Sequence, residues 1–373
     1  MAPAGLPWNN NGLMFVIGVM SGTSLDGVDA VLVKFDDQHH QAGQTVSHHY
    51  LAYPDLLRTE LMSLHTPGEN ELHRAAMLGQ TLARMYASAC EPLLQHAPAC
   101  AAIACHGQTI RHRPEAGYTI QLVNGALLAE LTRTTTITDF RSRDIAAGGQ
   151  GAPLVPAFHA AAFQDPHDDR AIVNIGGIAN ITLLDRHGHV RGFDCGPGNL
   201  LMNAWCLQHT GHPYDQDGNW ARSGQLLPDL LGNLLAHPYF KLQPPKSTGR
   251  EQFDEAWLST CLTGNEQPQD VQATLLQLTA IGITDALKQH APTTRSVYLC
   301  GGGVFNTALV NRIQSLAPEL TLASTEDLGI APDLVEAHAF AWLGRQTLLG
   351  LPGNNTDVTG ARHSCILGNI YPA

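Results

Sequence analysis

Blocks of apolar and polar positions at the start of the chain predict a β-hairpin. Two runs rich in Val, Ile, Leu and Phe, Met14–Met20 and Val28–Phe35, flank the polar stretch SGTSLDG. Gly22 and Gly27 of that stretch are expected to supply positive φ angles. A turn of glycines and small hydroxyl residues exposes backbone N–H groups, and such a concavity suits a phosphate. Considered alone, the stretch is equally well interpreted as an ordinary hairpin turn.

The pattern that follows predicts a mixed α/β lobe built around one sheet. The predicted strands are Thr45–Tyr53, Ala101–Cys105, Tyr118–Val123 and Thr134–Phe140, and the predicted helices are Pro54–His65, Glu69–His96 and Ala126–Thr132. A segment rich in glycine and charge, FRSRDIAAGGQGAPLVPAF, comes next. We expect the hinge between two lobes near its start.

The opening pattern recurs in the second half of the chain. Its features are, in order, the apolar run Ala171–Ile175, the pair Gly176 and Gly177, the apolar run Ile178–Leu184, a third strand Val190–Phe193 that ends at Asp194, a strand Val297–Cys300, the triplet Gly301, Gly302 and Gly303, and a helix Asn306–Leu316. The recurrence predicts two copies of one α/β unit, each opening with a hairpin that contains glycine.

Composition and charge limit the classes of function. Of the 373 residues 44% are hydrophobic and 14% are charged, which is typical of a globular protein. The net charge of −12 argues against binding to nucleic acid or to an anionic membrane. Eight scattered cysteines without a CxxC pair indicate reduced thiols in a cytosolic protein. No signal peptide or bilayer-spanning segment is expected, and the 19 histidines lack an HExxH motif.

The glycine runs do not match the commonest nucleotide-binding motifs. The chain has no GxxxxGK[ST], and in CGPGNLL the residue Leu201 stands where GxGxxG requires its third glycine. A nucleotide nevertheless fits two hairpin turns and a strand–GGG–helix: the turns, one from each lobe, grip the phosphates. The triple glycine lets the backbone approach adenine or its ribose closely.

Eight ordered motifs resemble the anhydro-N-acetylmuramic acid kinase family. They are MSGTSLDGVD, HGQTIRH, DFRSRDIAAGGQGAPLVP, NIGGIANIT, FDCGPGN, PPKSTGRE, CGGGVFN and the C-terminal LPGNNTDVTGA with ILGNIYPA. The resemblance extends from Phe15 to the C-terminus. It implies the actin-like ATPase fold of hexokinase and the heat-shock chaperones, an α/β fold with two ribonuclease-H-like lobes and a cleft between them. We expect a loose tail at 1–12, a first lobe of residues 13–139 joined by 346–373, and a second lobe of residues 140–345.

The resemblance also implies a reaction. ATP, with Mg²⁺, phosphorylates O6 of 1,6-anhydro-N-acetylmuramic acid while water opens the anhydro bridge, giving N-acetylmuramic acid 6-phosphate and ADP. The pathway is the recycling of peptidoglycan fragments in the cytoplasm, and the enzyme is expected to be a homodimer. Two alternative hypotheses are a kinase of another anhydrosugar, such as levoglucosan, and an actin-like nucleotide switch without a sugar acceptor.

Particular residues receive roles from the resemblance. Asp194 is the base that activates water. The phosphate and adenosine loops comprise Gly22, Thr23, Ser24, Leu25, Asp26, Gly27, Val28 and Asp29, then Gly176 and Gly177, then Gly301, Gly302 and Gly303. Asn174, Arg143 and Glu336 are the sugar-binding candidates. Asp26 is a candidate for the water shell of the magnesium ion, whose direct ligands stay unassigned.

Most of these residues also have a purely structural interpretation. Asp194 is suited to cap the helix that starts near Asn199. Arg143 can pair with Asp144 or Asp139, and Glu336, in the apolar helix DLVEAHAFAWLG, needs a partner or an exposed position. Lys246 and Arg250 of PPKSTGRE serve either a phosphate or the bracing of the lobe.

Overall fold

The computed structural model describes residues 12–36, 42–97, 99–250 and 252–373. The expected loose tail therefore lies outside the described residues except for its last position. Two compact units are present: the first comprises residues 1–162 and 334–373, and the second comprises residues 163–333. Within the described ranges, no helix is both long and apolar enough to span a bilayer.

The described residues form the following strands and helices. The strands are β1 Leu13–Met20, β2 Gly27–Asp36, β3 Gln44–Ala52, β4 Ala102–Cys105, β5 Gln108–Arg113, β6 Tyr118–Leu122, β7 Thr136–Thr138, β8 Arg170–Ile175, β9 Ile178–Leu184, β10 Val190–Pro197, β11 Ser296–Cys300, β12 Thr321–Ser324 and β13 Asn369–Tyr371. The helices are α1 Asp55–Ser63, α2 Glu71–His96, α3 Gly125–Thr132, α4 Ser142–Ala146, α5 Val155–Phe163, α6 Leu200–Thr210, α7 Asn219–Ser223, α8 Pro228–Leu235, α9 Glu255–Cys261, α10 Pro268–His290, α11 Thr307–Leu316, α12 Val335–Leu348 and α13 Thr356–Thr359.

The first unit contains a six-stranded sheet in the order β13-β7-β4-β1-β2-β3. β1 pairs antiparallel with β2 and parallel with β4, and β2 pairs antiparallel with β3. The strands β1, β2 and β4 are buried along most of their length because apolar residues cover both of their faces. The predicted strand Tyr118–Val123 does not join this sheet, since β6 pairs with β5 in a separate hairpin.

The second unit repeats the arrangement with five strands in the order β10-β9-β8-β11-β12. β8 pairs antiparallel with β9 and parallel with β11, as β1 does with β2 and β4. The long helix α10 is buried along most of its length and belongs to the hydrophobic core of this unit. The two matching sheets confirm the expected α/β fold with two ribonuclease-H-like lobes.

The predicted lobe boundaries at 139/140 and 345/346 need correction. The structure places the boundaries at 162/163 and 333/334. Phe158 of α5 contacts the rings of His338 and Trp342 of α12, with centroid distances of 5.2 and 6.1 Å. The helix α12 in turn packs on β1 so closely that a Cβ at Gly18 would overlap the Ala337 carbonyl. These contacts keep all of α12, and all of α5 except its last residue Phe163, in the first unit.

Candidate active site

The first glycine turn, residues 21–26, joins β1 to β2 and is tied to the residues that follow β4. The Ser21 hydroxyl is buried, donates to the Gly107 carbonyl at 3.2 Å and lies 2.9 Å from the Tyr86 hydroxyl. The side-chain amide of Gln108 donates to the Gly22 carbonyl at 3.0 Å. Because these groups are buried, they fix the path of the turn from the protein interior. The HGQ motif thus supports the first glycine turn.

The positive φ angle in this turn belongs to Leu25, at +59°, so the expectation for Gly22 and Gly27 is wrong. The Leu25 side chain is 1% exposed, and its burial in the core holds the left-handed backbone. Gly27 is needed for a different reason. A Cβ there would lie 2.6 Å from the Leu51 carbonyl and 2.7 Å from the Tyr50 ring on β3.

The polar side chains of the turn face outward. Thr23 and Ser24 are exposed, and the Ser24 hydroxyl donates to Asp26 Oδ1 at 2.8 Å. The same oxygen of Asp26 accepts the Gly27 N–H at 3.0 Å. Val28 belongs to the core and Asp29 is half-buried on β2. Thr23, Ser24 and Asp26 are therefore the side chains of this turn that solvent or a ligand can reach.

The second glycine turn, Gly176 and Gly177, joins β8 to β9. Its carbonyls accept N–H bonds from Gly198, Asn199 and Leu200 at 2.9, 2.8 and 3.1 Å. A Cβ at Gly198 would overlap the Gly176 carbonyl oxygen, so a glycine is required for this approach. The FDCGPGN motif thus holds the second glycine turn against the start of α6.

The glycine triplet after β11 contains one strained, one open and one packed position. Gly301 has φ +81° and donates its N–H to the Pro332 carbonyl at 2.8 Å. A Cβ at Gly302 would meet nothing within 4 Å, whereas one at Gly303 would overlap Ile175. The backbone of Gly302 is therefore open to close approach by a ligand.

Asn174 lies next to this triplet. It is 8% exposed and is the last residue of β8 that pairs with β11, in register with Cys300. A Cβ at Gly301 would overlap its amide oxygen. The structure therefore brings this sugar-binding candidate together with the adenosine-loop candidate in the second unit.

Asp194 does not cap the helix near Asn199. It lies in β10 opposite Asn180 of β9, at a register shift between Asp194 and Gly196. Its carboxylate Oδ2 accepts the Thr248 N–H at 2.9 Å. Asn199 is the N-cap of α6 and its side chain makes no cap bond. The helix-cap interpretation of Asp194 is therefore wrong, and the carboxylate is instead oriented by the PPKSTGRE segment.

The titratable groups around Asp194 differ from one another in charge near pH 7. Burial and the Asp194 charge raise the pKa of both Tyr239 and Cys195, so both are neutral near pH 7. Burial lowers the pKa of Lys246, while interactions with Cys195, once that thiol ionises, and with Asp194 raise it. The Lys246 ammonium lies 4.8 Å from the centroid of the Tyr239 ring. Lys246 is thus the cation of this group.

Arg143 is exposed on α4 of the first unit. Its two expected aspartate partners are engaged elsewhere. Asp144 accepts hydrogen bonds from Gly151 N–H, Asn354 and Thr359, each at 2.7 Å, and Asp139 accepts from Ser142 N–H and Asn369. Among the described residues, the Arg143 guanidinium forms no ion pair, and it remains available to a carboxylate ligand.

Glu336, in the first turn of α12, interacts electrostatically with Arg141, a residue that the motif analysis did not single out. Burial lowers the pKa of Arg141 to about 10, against the charges of Glu336 and Asp144. The Arg141 Nε–H donates to His106 Nε2 at 3.0 Å, so the neutral imidazole carries its proton on Nδ1. Burial and the Arg141 charge hold the pKa of His106 well below its ordinary value.

Two groups of candidates result, one in each unit. Residues 22–29, Arg143 and Glu336 belong to the first unit, and Asn174, Asp194 and the other two glycine loops belong to the second. Sequence reasoning missed Arg141, Gln108, Tyr239 and Thr248. The motifs HGQTIRH, DFRSRD and PPKSTGRE contain three of them, but a motif does not show which of its side chains turns inward. The part of the chain described here contains no group of three or more His, Cys, Asp or Glu side chains arranged for a metal ion.

Comparison with known proteins finds a matching family model and several similar proteins. A family model described as anhydro-N-acetylmuramic acid kinase matches residues 14–373. A protein of that name from Nitrosomonas europaea is 56% identical over 366 residues, covering 96% of this chain and 100% of the relative. Another from Nitrosospira multiformis is 54% identical, covering 96% and 99%. Among solved structures, component A of (R)-2-hydroxyglutaryl-CoA dehydratase from Acidaminococcus fermentans aligns with a TM-score of 0.49 and 11% identity, covering 90% of this chain and 99% of that one.

Proposed function

The chain belongs to the anhydro-N-acetylmuramic acid kinase family, and we propose that it converts 1,6-anhydro-N-acetylmuramic acid, ATP and water into N-acetylmuramic acid 6-phosphate and ADP. The observation that carries the residue assignment is the placement of Asp194. Its carboxylate is held by a backbone N–H in a bulged strand, and it does not cap a helix.

The proposed reaction joins two bond exchanges. A water oxygen attacks C1 of the sugar and gives its proton to the Asp194 carboxylate, while the bond between C1 and O6 breaks with its electron pair going to O6. O6 then attacks the γ-phosphorus, and the bond from that phosphorus to the bridging oxygen of ADP breaks. Water is a weak nucleophile, so a carboxylate base in reach of it is the group that this chemistry needs.

We assign the ATP site to the three glycine loops. The two hairpin turns offer backbone N–H groups and, at Thr23 and Ser24, accessible hydroxyls for phosphate oxygens. The open backbone of Gly302 is suited to adenosine. Phosphoryl transfer requires little covalent catalysis by the protein, so positioning and charge stabilisation supply most of the rate enhancement.

The exposed Asp26 suits a magnesium ion that is bound mainly by water and phosphate oxygens and is not enclosed by protein ligands. Mg²⁺ in kinases keeps several waters and uses one or two carboxylates together with substrate phosphates. One oxygen of Asp26 already accepts two hydrogen bonds, which orients the carboxylate. We propose that Asp26 binds water molecules of the ion, whose chemical contribution is to neutralise phosphate charge.

For the sugar, the lactyl carboxylate is the group that separates the substrate from levoglucosan. An exposed guanidinium without an ion pair in the described ranges suits a carboxylate, and Arg143 is such a group. Glu336, which interacts electrostatically with Arg141, can accept a sugar hydroxyl, and Asn174 can bind the sugar beside the glycine triplet. These contacts favour the muramic acid derivative over a sugar without a lactyl group.

We further propose that the enzyme works in the cytoplasm as a homodimer. All eight cysteines are free thiols, which agrees with a reducing compartment that supplies ATP. Sedimentation velocity on the purified chain tests the dimer, and a single species of 40.1 kDa would contradict it.

The function is tested by ADP release with a panel of sugars. We expect turnover with 1,6-anhydro-N-acetylmuramic acid and at least tenfold lower kcat/KM with levoglucosan, since the carboxylate contact is lost. Preference for levoglucosan would establish the alternative anhydrosugar kinase. ADP release that no sugar stimulates would instead favour the nucleotide switch.

A further inference from the structure

The segment from Tyr239 to Thr248 contacts Asp194 in several ways that the proposed reaction does not yet use. The Thr248 N–H donates to the carboxylate, and the Asp194 N–H donates to the Lys246 carbonyl at 3.2 Å. The Tyr239 hydroxyl donates to the Asp194 carbonyl at 2.8 Å. The backbone and the side chain of Asp194 are therefore both bound by one segment.

The hydrogen-bond donor at the Asp194 carboxylate suits an ionised carboxylate. A backbone N–H can only donate, and a carboxylate accepts it better than a carboxylic acid does. Tyr239 is 2% exposed, and its hydroxyl donates to the Asp194 carbonyl. This bond holds the strand beside the carboxylate. A base must be ionised before it can take a proton from water.

The charges around Asp194 act in the same direction. Cys195 on the same strand and Tyr239 are neutral near pH 7, and Asn180, its neighbour on β9, has no charge. Lys246 interacts electrostatically with Asp194. Its side chain lies against the Tyr239 ring, which keeps the ammonium close to the strand.

We propose that Lys246 and Tyr239 are positioning residues for Asp194: Lys246, held against the Tyr239 ring, supplies a positive charge that favours the carboxylate form, and Tyr239 fixes the strand that carries it. The inference rests on the proposed function because Asp194 must be the base. It gives the PPKSTGRE motif a role in the hydrolytic step rather than in phosphate binding. Neither residue contacts the reacting atoms in this assignment.

The pH dependence of kcat/KM for the anhydro sugar tests Lys246. In Lys246→Met, loss of the cation raises the pKa of the base, so the acidic limb should move upward by about half a unit to one unit. Lys246→Arg restores the charge and should keep the limb in its original place. Lys241→Met, which removes an exposed lysine from the same unit, is the matched control. An unshifted limb in Lys246→Met overturns the inference while leaving the kinase assignment intact.

Tyr239→Phe tests positioning. We expect kcat to fall about tenfold at the pH optimum with the KM for ATP unchanged, because the base is displaced and nucleotide binding is not. Tyr214→Phe, which alters an exposed tyrosine of the same unit, should have no effect. Thermal melting of each variant separates this loss from unfolding. An unchanged kcat in Tyr239→Phe contradicts its role.

A measurement without turnover distinguishes the two hypotheses. In protein labelled with ¹³C at aspartate carboxyl groups, the signal missing from Asp194→Asn reports the titration of that residue. Its pKa should rise in Lys246→Met and stay in place in Lys246→Arg and Lys241→Met. These pKa shifts would support the inference even if the wild-type chain showed no sugar-dependent turnover. The absence of that turnover would contradict only the proposed function. A pKa that does not move in Lys246→Met would reject the inference directly.

Discussion

Single residues around the candidate site differ in how firmly the protein holds them. Asp194 is bound through its carboxylate, its N–H and its carbonyl, and is thus oriented before any ligand arrives. Arg143 is exposed, and its neighbours Asp139 and Asp144 are occupied by other donors. A fixed base and an accessible cation suit different tasks. In the proposed reaction, Asp194 meets a small water molecule at a defined angle, and Arg143 reaches a flexible lactyl group.

Replacing the base should abolish the hydrolytic step and spare nucleotide binding. In Asp194→Asn we expect kcat to fall about 100- to 10,000-fold, because an amide cannot accept the proton of water. The KM for ATP should change less than threefold. Asp229→Asn, an exposed aspartate in the first turn of α8, is the control. Steady-state ADP release at saturating sugar measures both. Activity of Asp194→Asn within tenfold of wild type would remove Asp194 from the mechanism.

Replacing the exposed guanidinium should affect the sugar alone. In Arg143→Met we expect the KM for 1,6-anhydro-N-acetylmuramic acid to rise at least tenfold, since a charge-assisted hydrogen bond is lost. The KM for ATP should not move. Arg84→Met, exposed on α2, is the matched control. If Arg143→Met also loses the same factor with levoglucosan, which has no carboxylate, the assigned contact is wrong.

The family resemblance pointed to Asp194 and the glycines as candidate site residues, but neither it nor the residue types indicated the partners that orient them. The carboxylate of Glu336 was expected to need a partner, and its electrostatic partner Arg141 lies 195 positions earlier in the chain. Likewise, Asp194 is bound by Thr248 through a backbone N–H, which every residue type except proline offers. No sequence pattern specifies such a bond because the side chain does not take part in it.

At the level of elements, the glycine triplet combines packing roles with the proposed adenosine contact in three consecutive residues. Gly301 provides a left-handed turn, Gly303 allows contact with Ile175, and Gly302 is free of both constraints. Packing at Gly303 joins the end of the triplet to the end of β8, which also leads into the second glycine turn. One short segment thus fixes the relative position of two loops within the second unit.

Alanine substitutions should separate these two roles. In Gly303→Ala the new Cβ would overlap Ile175, and we expect the free energy of unfolding to fall by about 1–3 kcal/mol. In Gly302→Ala it should change by less than about 0.5 kcal/mol. The KM for ATP should nevertheless rise about tenfold in Gly302→Ala, because a methyl group occupies the space assigned to adenosine. Urea unfolding and ATP saturation curves measure the two effects. An unchanged KM in Gly302→Ala would contradict the adenosine assignment.

The long, periodic elements were predicted closely, and the short edge strands were missed. Glu69–His96 was predicted as a helix and α2 spans Glu71–His96. In contrast, β12 and β13 contain four and three residues and were not predicted. So short a run shows no reliable period, and pairing with β11 or β7 makes it a strand.

At the scale of the whole molecule, stability depends on buried neutral histidines. His106, His159 and His338 are 3%, 1% and 0% exposed. The imidazole Nε2 of His338 lies 2.8 Å from the Ala42 carbonyl and therefore carries the proton, and its Nδ1 accepts from Thr45 Oγ1 at 3.0 Å. Burial lowers the pKa of His338 to about 4 and that of His159 to about 3.

These histidines should destabilise the fold in mild acid. The unfolded chain binds protons near pH 6.5, where the folded imidazoles do not, so stability is lost as the pH falls from about 6.5 to about 4. For His338 the full effect is about 3 kcal/mol. His338→Gln should therefore show a shallower loss of unfolding free energy between pH 7 and 5 than wild type. His48→Gln, an exposed histidine on β3, is the control. Equal slopes for His338→Gln and wild type would contradict this account.

Duplication was predictable at this scale, but the assignment of α12 to a unit was not. Both halves share a glycine hairpin followed by a strand and a glycine turn, and the five strands of the second sheet follow the same order as five of the six strands of the first. The apolar residues of α12 show that it is buried and do not show against which sheet. That choice depends on the close contact at Gly18, far away in the chain.

Turnover in H₂¹⁸O tests the proposed hydrolytic kinase most directly. The purified chain is given ATP, magnesium and 1,6-anhydro-N-acetylmuramic acid, and early products are analysed by mass spectrometry before the anomeric hydroxyl exchanges with solvent. If Asp194 directs water to C1 and O6 takes the γ-phosphoryl group, the sugar phosphate gains one ¹⁸O in the sugar and none in the phosphate. Label in released inorganic phosphate with the sugar unchanged would show that water attacks phosphorus, and the account would be wrong.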